Sequence, residues 1–386
     1  MITTYSLQQQ LQKLSTKHVF FKTPTKTIVG TACSAVNIPT CHSLASVNEQ
    51  MMKALHATDD DQAVIVGAIP FDITKQPALQ LASHPQIEAN EAYEDERAAK
   101  AMFDATRVTS YPSRTKFEAM VNASVKQIKQ GSMTKVVLAR TLEIEAPSVP
   151  HRELLHYLAT HNDKGYTYSI PLANNETLLG ASPELLIKRE GNRITANPIA
   201  GSRKRTYVEA VDAASAAELM QSAKDLHEHR IVVEMVKQAL GPHVKNLHVP
   251  ASPSILYTDS MIHLSTVVTA EVGEEALSSL ELANLLHPTP AVCGQPREAA
   301  FSAIQKIEPF DRGYFAGIVG YMDAAGNGEW VVTIRCGKIH ATGLTLYAGA
   351  GIVETSVPAE EACETGAKFQ TMLNAMPEEV TTKGEF

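Results

Sequence analysis

GYFAGIVGYMDAAGNGEWVVTIRCGKIHATGLTLYAGA, residues 313–350, is the stretch on which the fold class turns. It holds three apolar runs, at 313–322, 329–337 and 344–350, each short enough for a strand and rich in Val, Ile, Tyr and Leu. Between them stand Gly326, Asn327 and Gly328, and then Thr342 and Gly343. Glycine and asparagine accept the positive φ of tight hairpin turns, so neighbouring runs should pair antiparallel. Working outward, further strands are expected at 63–69, 134–143, 167–170, 178–181, 184–189, 193–197 and 262–271. Helical periodicity is expected at 116–130, 151–161, 208–240, 278–286, 298–307 and 358–376. Hairpins interleaved with helices give an α+β fold, with large antiparallel sheets and helices packed outside.

At 386 residues the chain could hold one large domain or two. It reads as a single domain over 1–386, with a variable N-terminal part at 1–110 and a motif-bearing part at 111–376 that begins at the break Tyr111-Pro112-Ser113. Net charge is −8. A surface built to track phosphates would carry excess positive charge, so neither nucleic acid nor an anionic membrane is the expected partner. The longest apolar stretch, 63–71, is far short of the ~20 residues that span a bilayer, and residues 1–30 contain no secretory h-region. Five scattered cysteines (Cys33, Cys41, Cys293, Cys336, Cys363) without a CxxC fit a reduced cytoplasm.

Four groups of residues could carry chemistry. Glu361, Glu364 and Lys368 fall on one face of a helix. They make either a solvated face with an i,i+4 pair or two oxygen ligands for a hard cation beside an anion-seeking lysine. The preceding run YAGAGI (347–352) is a strand end whose glycines let backbone approach a ligand. In KDLHEH (224–229), His227 and His229 point apart on a helix, while Glu228 is a third carboxylate that would join the others only if the helices converge. Lys135 enters an apolar strand and Glu184 follows Pro183 at a strand start. Burial disfavours the charged form of either group, which would turn the amine into a base and the carboxyl into an acid. Arg335, placed mid-strand in VVTIRC (331–336), needs a carboxylate from protein or substrate.

The ordered blocks KVVLAR (135–140), ASPEL (181–185), NPIAGSR (197–203), KDLHEH (224–229), HPTPA (287–291), EPFDRGYFAGIVG (308–320), WVVTIRC (330–336) and YAGAGIVETSVPAEEACETGAK (347–368) resemble the chorismate-utilising enzymes. That family includes the isochorismate, anthranilate, aminodeoxychorismate and salicylate synthases. The likeness implies Mg²⁺ held by Glu228, Glu361 and Glu364 against the ring carboxylate of chorismate. It also implies Arg335 and Lys368 as carboxylate partners, with backbone at Gly201, Ser202, Ala291 and Gly349 lining the pocket. Lys135 would be the base that activates water and Glu184 the acid for the departing hydroxyl. Lys135 stands where anthranilate synthases have Gln, and Ala200 where aminodeoxychorismate synthases have a nucleophilic Lys. Both differences point to water as nucleophile. Phe315, where salicylate synthases often have Tyr, resembles the siderophore-type isochorismate branch, with salicylate and menaquinone branches as alternatives. The resemblance further implies a chain acting without a glutaminase subunit, as a monomer.

Overall fold

The computed structural model describes residues 7–12, 14–38, 43–90 and 97–383. Part of the charged 88–100 stretch, and Cys41, lie outside the described residues. Two large sheets of ten and nine strands, with every pairing antiparallel, face each other across a continuous apolar core. A three-stranded sheet (Ile199–Lys204, Ser254–Tyr257, Met261–Ser265) stands beside them. The expected hairpins form: Ile318–Asp323 pairs with Gly328–Val332, and Cys336–His340 with Gly343–Ile352. Helices cover the outer faces. Pro358–Leu373 lies on the strand Gly343–Ile352, and Ser279–Leu286 packs on Leu185–Glu190 and Gly328–Val332. A reciprocal Ser278–Glu281 cap opens the latter helix, satisfying donors that its first turn would otherwise leave free. Trp330, fully buried beneath it, donates its indole N–H to Ser279 Oγ at 3.2 Å.

Residues before 110 are woven into both sheets. Val19–Lys22 pairs with Tyr166–Pro171 in the ten-stranded sheet, and Val64–Ile69 pairs with Ile318–Asp323 in the nine-stranded one. The strand expected at 63–69 is therefore present, but Val19–Lys22, Lys26–Gly30 and Cys33–Ala35 are not visible as sequence signals. Runs of three to five residues are too short to show a period.

Four expectations need correction. The single helix over 208–240 is two helices, Glu209–Leu219 and Ala223–Leu240, parted where Ser222 caps the second by accepting from Asp225 N. The strand over 262–271 divides into Met261–Ser265 and Val268–Val272, which belong to different sheets. Residues 313–317 form a turn, with Gly313 and Ala316 at positive φ, and the strand starts at Ile318. Most consequential, 329–337 is not one strand. Gly328–Val332 lies in the nine-stranded sheet and Cys336–His340 in the ten-stranded one. Arg335 is thus in a crossing between sheets, not in mid-strand, and holds φ at 51°.

Candidate functional site

That crossing has a twin. The chain passes the other way between Thr177–Ser182 and Leu185–Glu190, through Pro183 and Glu184. The two crossings are bonded to each other. Ala181 N donates to Arg335 O at 3.0 Å, Val332 N to Glu184 O at 3.1 Å, and Ser182 Oγ to Val332 O at 2.7 Å. The side chains of Glu184 and Arg335 emerge here into a cavity of about 400 Å³. All eleven residues singled out in the sequence line that cavity: Lys135, Glu184, Gly201, Ser202, Glu228, Ala291, Arg335, Gly349, Glu361, Glu364 and Lys368.

Several local devices deliver them. Lys135 opens the strand Lys135–Glu145, whose neighbour Gly343–Ile352 sets Gly349 opposite Ala139 and Gly351 opposite Val137. A Cβ at Gly351 would lie 2.9 Å from Lys135 Cε, so the missing side chain is what leaves room for the amine. Gly201 sits at a register shift between Ile199–Lys204 and Met261–Ser265 with φ at 80°, turning backbone toward the cavity. Ala291 N donates to Thr289 Oγ1 in the loop before Gly294. The helix bearing Glu361, Glu364 and Lys368 is anchored by the fully buried Arg140. That guanidinium donates to Thr365 Oγ1 at 2.8 Å and Ala362 O at 3.1 Å, between the rings of Phe117 and Phe369.

The helices carrying the three glutamates do converge on the cavity. Among the described residues, however, no three His, Cys, Asp or Glu side chains sit close enough to hold a metal ion as they stand. Instead each carboxylate faces a lysine. Lys135 Nζ is 3.5 Å from Glu228 Oε2, Lys224 Nζ 3.7 Å from Glu361 Oε1, and Lys368 Nζ 2.5 Å from Glu364 Oε1. Lys368 also donates to Gly349 O at 2.8 Å. Glu361 Oε1 is buried without a hydrogen bond. Three carboxylates and one orphaned oxygen make a donor set suited to a hard divalent cation.

Burial raises the Glu184 carboxyl to about 8, against the opposing pull of Arg335, Lys135 and Lys368. Burial likewise lowers Arg335 to about 10, partly offset by Glu364 and Glu184. Glu361 rises to about 7 through burial and the neighbouring Glu364. Glu364 goes the other way: burial pushes it up, but Lys368, Lys224 and Lys135 together hold it below the ordinary value. The cavity therefore offers a protonated acid at neutral pH, a lysine amine, and cations able to receive carboxylates.

His227 and His229 do not join the site as ligands. His227 is exposed, and buried His229 bonds Thr266 Oγ1 at 2.7 Å. Three further cavity residues had been given no role in the sequence. His263, buried in Met261–Ser265, presents Nε2 without a partner, and burial with Arg335 and Lys368 nearby keeps it neutral. Lys224 borders the carboxylates, and Tyr347 stacks on Phe315 with centroids 5.4 Å apart. A polar residue inside the apolar run MIHLS was the available signal for His263, of the same kind as Arg335 in VVTIRC.

A family model described as "Chorismate binding enzyme" matches residues 55–377. The isochorismate synthase DhbC of Bacillus subtilis is 42% identical over 334 residues, covering 85% of this chain and 84% of that protein. The vibriobactin-specific isochorismate synthase of Vibrio cholerae is 40% identical over 340 residues, covering 86% and 84%. A crystal structure from Bacillus anthracis, assigned as the 2,3-dihydroxybenzoate-specific isochorismate synthase DhbC, superposes with a TM-score of 0.87 at 40% identity. It covers 95% of this chain and 98% of its own.

Proposed function

The chain belongs to the chorismate-binding enzyme family, and from that premise we propose that it is an isochorismate synthase serving 2,3-dihydroxybenzoate (catechol siderophore) formation. The observation that carries the mechanism is a buried carboxyl, Glu184, raised by that burial and lining the same cavity as the amine of Lys135. In the reaction, Lys135 takes a proton from water as its oxygen bonds to ring C2. The ring double bonds shift, the C4–O bond breaks, and Glu184 gives its proton to the departing hydroxyl. One water enters and one leaves, so the net change is isomerisation. Acid and base contributions of this type are each worth ~10²–10⁴ in rate.

Arg335 and Lys368 bind substrate carboxylate, and backbone at Gly201, Ser202, Ala291 and Gly349 shapes the wall around the ring. Glu228, Glu361 and Glu364 are the residues that would hold Mg²⁺, whose charge when bound neutralises and orients the ring carboxylate. Water as nucleophile calls for no ammonia, so the chain works without a glutaminase subunit, as a monomer. The N-terminal 110 residues act as part of the same catalytic domain. Among the described residues no helix is long and apolar enough to cross a membrane.

The test is product chromatography after incubating purified protein with chorismate and Mg²⁺, with ammonium offered in a parallel sample. Isochorismate in both samples is expected. Salicylate with pyruvate, or an aminated product, would overturn the proposal.

A further inference from the structure

The strand that begins with Lys135 has an incomplete outer edge. The short strand Gly294–Gln295 pairs with Lys135 and Val136, and Arg107–Tyr111 pairs with residues 141–145. Between them, among the described residues, 137–140 has no strand partner on that edge, and the loop before Gly294 reaches it with one backbone bond, Val137 N to Cys293 O at 2.8 Å. The motif EPFDR (308–312), given no role so far, fills the gap with side chains. Glu308 Oε1 accepts from Ala139 N at 2.7 Å, and Arg312 Nη2 donates to Val137 O at 2.7 Å. The two side chains are joined by a two-point contact, Nε to Oε2 at 2.8 Å and Nη2 to Oε1 at 2.6 Å. They are only 1% and 3% exposed.

The same guanidinium reaches the loop that enters Gly294–Gln295. Arg312 Nη1 donates to Val292 O at 2.8 Å, beside Ala291, and the group lies 5.7 Å from the ring centroid of Phe315. Lys135, Val137, Ala291, Val292 and Phe315 all line the cavity. A planar fork with donors at fixed angles suits this task, because it holds two carbonyls and a carboxylate in one geometry; an ammonium cannot.

We propose that Glu308 and Arg312 are a positioning pair for the reaction, a side-chain substitute for a missing strand that fixes the Lys135 strand against the Ala291–Val292 wall. This rests on the isochorismate synthase reading for its kinetic test, since what the pair fixes is the placement of the base relative to the bound ring. Displacements of about 1 Å remote from the chemistry can cost ~10²-fold.

The experiment compares Arg312→Lys, Glu308→Met and the doubly neutral Glu308→Met/Arg312→Met. Four quantities are measured: kcat and KM for chorismate, the thermal midpoint, and amide exchange at Ala139. For Arg312→Lys, kcat is expected to fall about 10²-fold with KM within about two-fold. The double variant, which buries no unpaired charge, should regain much of the midpoint lost by the single variants while kcat stays low and exchange at Ala139 stays fast. Wild-type kcat in Arg312→Lys, or kcat recovering with the midpoint in the double variant, would overturn the proposal in favour of a purely structural pair. Wild-type protein that makes no isochorismate would instead sink the functional reading. Exchange in Glu308→Met then decides the pair by itself, with unchanged protection at Ala139 counting against it.

Discussion

On the crossing wall of the cavity, Glu184 and Arg335 are buried where the chain changes sheets, and both depart from their ordinary ionisation chiefly because water is excluded. On the helical wall, Glu228, Glu361 and Glu364 each face a lysine within 3.7 Å, and Glu364 is held on the ionised side by those cations. The first arrangement keeps a proton on an acid at neutral pH. The second sets a lysine against each carboxylate, which holds Glu364 below its ordinary value while burial still raises Glu361 to about 7. One wall is suited to moving a proton and the other, with its three carboxylates, to receiving a cation.

The separation can be broken experimentally. The largest effect is expected from Glu184→Gln, which keeps the shape but cannot lose a proton to the leaving hydroxyl. Steady-state assay should show kcat reduced ~10²–10⁴-fold with the Mg²⁺ titration unmoved; a shifted metal requirement would mean that the walls are not independent. Lys135→Ala should lower kcat within the same range while calorimetry still registers chorismate binding. Glu364→Gln should act on the other axis, raising the Mg²⁺ needed for half-maximal rate by at least ~10-fold, with kcat at saturating metal much less affected.

A smaller effect concerns pH. The Glu184 carboxyl titrates at about 8 in the folded protein, against 4.5 ordinarily. Between those values the native chain holds a proton that the unfolded chain has released. The stability present below the ordinary value is therefore lost progressively as pH rises toward 8. In Glu184→Gln without ligand, the thermal midpoint should decline less steeply over that interval, and turnover by the wild type should fall as pH passes 8. Parallel midpoint curves for the two proteins would contradict the assignment. Smallest of all, Gly351→Ala should lower kcat several-fold, since its Cβ would press on the flexible end of Lys135 at 2.9 Å. The same assay reads it.

Much of the helical wall was legible in the sequence, because spacing on a helix fixes which side chains share a face, and Pro358–Leu373 presents Glu361, Glu364 and Lys368 as their periodicity implies. The crossing wall was legible in composition only. VVTIRC is apolar throughout apart from Thr333 and Arg335, so period-two reasoning runs through the sheet change without registering it. The division at 266–267 was missed for the same reason: continuity of β-forming residues says nothing about which sheet they enter. His263 and the Glu308–Arg312 pair depend on register between strands and loops distant in sequence. No local pattern encodes such contacts.

Because the crossings at 183–184 and 333–335 are hydrogen-bonded to each other, their lengths are coupled. Adding or deleting one residue in either would slide one pair of strands past the other and turn the acid and the guanidinium away from the cavity together. Length changes in this part of the fold can be accommodated only in matched pairs.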